Sequence, residues 1–217
     1  MPEPRDQPAE PVSAADVSQA VALAAAAMRQ AEAADWHVPA GTLDWDCWET
    51  AEHMSDDLFA YAAQLGPRNP ALQRPVPFGC APRRPGGPAT AIYADPEAGP
   101  EGLRYVFEAA GALLVAMVAT WTAQADTGER PFGVADPDCF AAAAGVVEVL
   151  VHTHDITQGL DIPWQPPDET CRRALARQFP DAPTDSEPWP TLLWATGRGE
   201  LPGRPAVTSW HWYPGPT

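Results

Sequence analysis

Positive charge is scarce in this sequence. Thirteen basic residues stand against 29 acidic ones in 217, for a formal net charge of −16. Such a surface repels phosphate backbones and anionic headgroups, so neither nucleic acid nor an anionic membrane is expected as a partner. The plain role of the charge is solubility. Cysteine is also rare. Cys47, Cys80, Cys139 and Cys171 form no C-x-x-C pair, and their spacings of 33, 59 and 32 residues resemble no disulfide framework. They read as reduced thiols in a cytoplasmic protein. The opening MPEPRDQPAE is acidic and proline-rich where a signal peptide is basic, so no targeting segment is expected. Long apolar runs are missing too. The longest, Ala109 to Ala125, includes Thr120, Thr122 and Gln124. It falls short of the roughly 20 residues a membrane helix needs, and a buried core helix is expected instead.

What is present suffices for one core: 45% of the residues are hydrophobic. Residues 1–11 read as a disordered tail. Ser13 to about Ala34 is alanine-rich and free of Gly and Pro, with Ser13 as N-cap and Asp16 three residues on. A polar loop with Pro39 and Gly41 leads to a second helix, about Cys47 to Leu65, capped by Asp46 and ended by Gly66-Pro67. Its apolar stripe runs Cys47, Ala51, Met54, Leu58, Ala62, Leu65. Residues 66–100 are dense in Pro and Gly and predict a wrapped loop with one short strand at Thr90–Tyr93. A third helix is expected from about Pro100 to Ala125. A turn-rich link, Gly128 to Pro137, precedes a fourth from about Pro137 to Gly159, with Asp136 as its cap and Pro at the first helical position. Residues 166–178 predict a weaker fifth helix, and Thr191–Ala195 a short one. Four long amphipathic helices imply an all-α fold, a four-helix bundle with a short irregular C-terminal extension.

The fourth helix carries the chemistry. Phe140, Ala143, Ala144, Val147, Leu150 and Val151 centre its apolar face at 100° per residue, while Val146, Val149 and Ile156 are apolar elsewhere. It should therefore be buried on most sides. Within that surround Glu148, His152 and Asp155 project within about 60° of one another. Gly145 and Ala141, on the same side, leave room above the backbone. A buried carboxylate is costly unless paired or bound to a cation. Glu148 and His152, spaced i, i+4, can reach one ion, although such a pair is more often a simple ion pair. His53 on the second helix is the candidate third ligand, completing a facial set with an open position. It sits about 130° from the centre of that helix's apolar stripe, where a surface histidine is equally at home. Imidazole with carboxylate suits zinc, and also iron or nickel.

The segments DCWETAEHMSDDLFAY (46–61) and GVVEVLVHTHDITQGL (145–160) resemble the DinB-like superfamily, in its mycothiol-dependent maleylpyruvate isomerase branch. The resemblance implies an up-down-down-up four-helix bundle over residues 12–162, with 163–217 as an extension packing on it. It implies a divalent metal, usually zinc, held by His53, Glu148 and His152. Trp48, five residues before His53, matches the opening of that family's second helix. The isomerase carries a further α/β domain after the bundle, of which 192–205 resembles only a piece. His154 stands where relatives often have an aromatic, and packing is its expected role.

Three functions follow as expectations. In the first, the metal lowers the pKa of a thiol, mycothiol by resemblance, which attacks a small electrophilic substrate in cis–trans isomerisation or S-transfer. Asp155 is the candidate catalytic residue, orienting a ligand histidine or handling a proton. Its alternative role is capping or pairing at the helix end. In the second, the same fold uses the metal as a Lewis acid without a thiol. In the third, the bundle only binds a ligand. Arg83, Arg84, Arg198 and Arg204 are available to hold a carboxylate, with none singled out. Four of the nine tryptophans, Trp189, Trp194, Trp210 and Trp212, lie near the end and are expected to pack the tail. The oligomeric state is left open, a homodimer included.

Overall fold

The computed structural model describes residues 10–67, 74–126 and 140–213. Within them the chain is mostly helical. Helix α1 (Ala14–Arg29) opens on Ser13, whose hydroxyl accepts from Asp16 N while the Asp16 carboxylate accepts from Ser13 N, so two end groups are satisfied reciprocally. Helix α2 (Cys47–Gln64) opens the same way on Asp46 and Glu49. Helix α1 stops five residues before the expected Ala34. There the chain turns to bury Trp36, whose indole N–H donates to Ala31 O at 2.9 Å.

Helix α3 (Gly99–Asp126) follows a 3-10 turn at Pro96–Ala98, and α4 spans Phe140–Gly159. Helices α1 and α2 each pack against both α3 and α4. Met54, Leu58, Leu103, Phe107, Leu114, Val118 and Leu150 are fully buried between them. Helix α4 is buried from Ala141 through Thr153 and again over Asp155–Thr157, as its all-round apolarity requires. Glycine sets the closeness of this packing. A Cβ on Gly111 would lie 2.7 Å from Val21 Cγ2, and one on Gly145 would lie 2.5 Å from Leu114 Cδ2. Gly145 therefore does not leave open space beside the expected site. Its missing side chain is filled by Leu114.

Helix α3 is longer than its most apolar stretch. Within residues 96–124 an 18-residue stretch reaches a mean hydropathy of 1.6, so the helix meets the length and composition of a membrane-crossing one. One side of it, Leu103, Phe107, Leu114, Val118 and Trp121, is buried, while Tyr105 and Leu113 stand exposed.

The Pro/Gly-rich segment forms a minimal hairpin. Strand β1 (Ala81–Pro82) pairs antiparallel with β2 (Ala89–Thr90). The strand expected at Thr90–Tyr93 thus lies one residue earlier and is only two residues long. Ala91 N and Ile92 N have left the ladder and donate instead to the Asp56 carboxylate, at 2.8 and 3.0 Å. In the extension, α5 (Asp168–Gln178) packs on α4, and α6 (Pro188–Ala195) packs on α5. The expected Asp136 cap, Pro137, the link before it, Cys139 and most of the expected tail lie outside the described residues.

Candidate metal centre

Helix α2 carries a dense acidic run, and its carboxylates divide between two tasks. Glu49, Glu52 and Asp56 share one face at helical spacing, and all three are buried. That face holds the loop. Arg83 donates twice to Glu52 at 2.7 and 2.9 Å, Ala94 N donates to Glu52, and Arg84 Nη2 donates to Glu49 at 2.7 Å. The neighbouring face bears His53 and Asp57, again i, i+4, and looks toward α4.

There they meet Glu148 and His152. One donor atom from each of the four residues lies within 4.8 Å of all the others. His152 Nε2 is 3.1 Å from Glu148 Oε2, and His53 Nε2 is 3.2 Å from Asp57 Oδ2. These two separations are near the roughly 3.3 Å edge of a tetrahedron built from bonds of about 2.0–2.1 Å. Asp57 Oδ2 is buried and has no hydrogen-bond partner among the described residues. Two carboxylates and two imidazoles thus converge, with one oxygen lacking a donor. The cluster could hold a metal ion.

The charges on these groups tell the same story. Burial, then the nearby charge of Glu148, pushes the Asp57 carboxyl well above the usual carboxylate range. Burial also raises Tyr61, whose hydroxyl donates to Glu148 Oε1 at 3.5 Å. Burial and then the charge of His152 bring His53 down to about 4. Against its burial, hydrogen bonds to Asp155 and Glu148 raise His152. Glu148 is lowered despite its burial, because His152 bonds to it. Without a cation, then, the surroundings favour the protonated forms of His152 and Asp57.

Around the cluster the supporting contacts are strong. Asp155 Oδ2 lies 3.1 Å from His152 Nδ1, which leaves Nε2 for the cluster. Arg198, from the turn after α6, grips both Asp155 oxygens at 2.8 to 3.0 Å. Trp45 forms a wall, its ring centroid 4.8 Å from that of His53 and 6.4 Å from that of His152. The loop carrying Trp45 is seated on the last turn of α4. Gly159 makes room for it, since a Cβ there would lie 2.4 Å from Pro39 O. Trp45 Nε1 then donates to Gly86 O at 3.2 Å, closing the wall against the hairpin.

The three expected ligands therefore come together, and the half-buried His53 faces α4 rather than solvent. Asp155 stands outside them, where it positions His152; it touches none of the other three donor residues. Asp57 is the residue the sequence reading missed. Its signal was available, because the i, i+4 rule applied to Glu148 and His152 applies equally to His53 and Asp57. Each of the four arginines considered for a substrate carboxylate is already ion-paired: Arg83 with Glu52, Arg84 with Glu49, Arg198 with Asp155 and Arg204 with Asp185. His154 packs edge-on against Trp189 at 5.6 Å, in keeping with a packing role. Trp48 is buried beside His37. Cys47 and Cys171 are buried free thiols raised to about 12 by burial, which disqualifies both as nucleophiles, and Cys80 is exposed and free. The chain matches no family model, no curated protein and no solved structure.

Proposed function

We propose that this chain is a metal-dependent, thiol-using enzyme of the DinB-like, maleylpyruvate isomerase type, acting as a cis–trans isomerase or S-transferase on a small electrophile. The observation that carries this reading is the convergence of His53, Asp57, Glu148 and His152, with Asp57 Oδ2 buried and making no hydrogen bond among the described residues. The packing of α1 and α2 each on both α3 and α4 supports the up-down-down-up bundle that the resemblance implies.

His53, Glu148 and His152 would hold the metal, zinc first and iron or nickel as alternatives. Bound there, a divalent cation supplies the positive charge that keeps a small thiol such as mycothiol ionised at neutral pH. The chain's own residues do the rest. Asp155, clamped by Arg198, fixes the ring of His152. Asp57, its carboxyl raised by burial, holds a proton beside the cluster that it can give to the adduct as the thiolate adds and take back as the adduct collapses. Trp45 shields the imidazoles from water. Addition of the thiolate to an activated double bond, rotation and elimination isomerise the substrate; addition alone transfers sulfur.

Metal analysis of the purified protein, followed by turnover of an electrophilic probe with and without mycothiol, tests this reading. One divalent ion per chain is expected, lost in His152→Ala with helical circular dichroism largely retained. Unchanged stoichiometry in that variant would overturn the ligand assignment. Equal turnover without thiol would overturn the thiol and leave the metal in place.

A further inference from the structure

The donor cluster is nearly closed as it stands. The side chains of His152 and Glu148 are 7% and 9% exposed, and those of His53 and Asp57 are 23% and 20% exposed. An organic molecule that must touch all four donors, or a metal held by them, needs one wall to give way.

Which wall yields follows from what holds each one. Helices α2 and α4 are core elements, locked by burial of Met54, Leu58 and Leu150. Behind His152, Arg198 clamps Asp155 through three charge-assisted hydrogen bonds. Trp45 is the weak member. Its half-buried ring lies against His53 and His152, and its one hydrogen bond joins two neutral groups, Nε1–H and Gly86 O, at 3.2 Å. Its backbone is pinned on both sides. Trp45 O accepts from Ala40 N at 3.0 Å, Asp46 caps α2 and bridges to Pro39, and Cys47 N donates to Val38 O at 3.0 Å. The motion left to Trp45 is rotation of its side chain between rotamers.

The acceptor of that hydrogen bond is itself tied down. Arg84 Nη2 donates to Asp44 O at 2.9 Å and to Glu49 Oε2 at 2.7 Å, so one guanidinium joins the hairpin turn both to the loop bearing Trp45 and to α2. The turn lies close on α2, since a Cβ on Gly87 would stand 3.0 Å from Glu49 Oε1.

We propose that Trp45 is a side-chain gate over the cluster and that Arg84 is the latch that keeps it shut. Closed, the indole donates to Gly86 O and covers both imidazoles. Open, the ring has swung off His53 and its N–H donates to water. That the gate admits a thiol and an electrophile rests on the function proposed above; the gate itself rests on the contacts of Trp45 and Arg84.

Carbethoxylation of the full-length protein by diethyl pyrocarbonate, in the presence of a chelator and read at each of the five histidines by mass spectrometry, tests the proposal. In the parent, His53 and His152 should react far more slowly than the exposed His211. Trp45→Ala should speed both by about tenfold or more, because the gate is gone. Two variants keep a wall and remove only the latch. Trp45→Phe lacks the N–H donor, and Arg84→Ala frees the hairpin. Each should speed both histidines by about three- to tenfold, the shift that loss of one neutral hydrogen bond permits. His154, packed on Trp189, should stay at its parent rate in every variant, which separates gate opening from general unfolding. Parent rates in both latch variants would make Trp45 a fixed wall and overturn the proposal. So would a parent His53 that already reacts like His211, or a rise at His154 that matches the rise at His53. The measurement uses neither metal nor thiol, so its failure and the failure of the metal reading are separate results.

Discussion

At the scale of single residues the protonation of the metal-free cluster has a measurable consequence. His152 is held above its ordinary value by its hydrogen bonds to Asp155 and Glu148, and as a ligand it must give up its proton to a cation, whereas Asp57, raised by burial, keeps its proton beside the cluster. His53, near 4, is already neutral at physiological pH and offers no competition. The sign follows directly: raised groups fill with protons as pH falls, so metal affinity rises with pH and weakens below neutrality. Between pH 8 and pH 6 the apparent affinity for zinc should fall, by up to about one log unit per pH unit, with proton release on binding. Competition against a chelator at three pH values measures the slope, and a flat profile would contradict the protonation scheme. At this scale the sequence was informative where helical spacing alone decides, as for Glu148 and His152. For Asp57 the i, i+4 spacing from His53 was a signal but not a decisive one, because Glu49, Glu52, Asp56 and Asp57 look alike until the loop has taken three of them. Which carboxylate stays unclaimed depends on Arg83, Arg84 and two backbone N–H groups, all more than 30 residues away.

Among the elements, the helices were the most legible part. Ser13 and Asp46 begin α1 and α2 as expected because capping chemistry is local, whereas the end of α1 is set by the burial of Trp36, a tertiary event. The hairpin was less legible, because its two-residue strands depend on Asp56 of α2 and not on strand propensity. Gly145 shows how a correct position can carry the wrong meaning. Its lack of a side chain was read as room for a ligand, and the structure uses it to admit Leu114. Gly145→Ala should therefore destabilise the fold by about 1–3 kcal/mol through overpacking, although alanine is the better helix former. Thermal denaturation would register this as a lowered Tm; a raised Tm would show that α3 and α4 can separate at no cost.

Across the whole molecule, the extension is tied to the centre it adjoins. Arg173 on α5 reaches Asp16 on α1 at 2.5 Å, and Arg198 after α6 reaches Asp155 on α4. The second tie ends one hydrogen bond from a metal-ligand candidate. Arg198→Ala should accordingly lower zinc affinity about 10- to 100-fold, although the residue contributes no donor to the cluster. Arg198→Lys should restore part of the loss by keeping the charge near Asp155. Parent-like affinity in the alanine variant would reduce Arg198 to a structural tie. The sequence marked Arg198 only as one of four available cations, since nothing local announces a partner 43 residues earlier. The all-α class was plain from the long helical periods.

All four donors sit on α2 and α4, two on each, with 90 residues between Asp57 and Glu148. A chain still emerging from the ribosome therefore offers only one half of the chelate for most of its synthesis. A cation bound by this cluster would have to wait until the last long helix has been translated and has docked, so it would reward completion of the fold and could not seed its beginning.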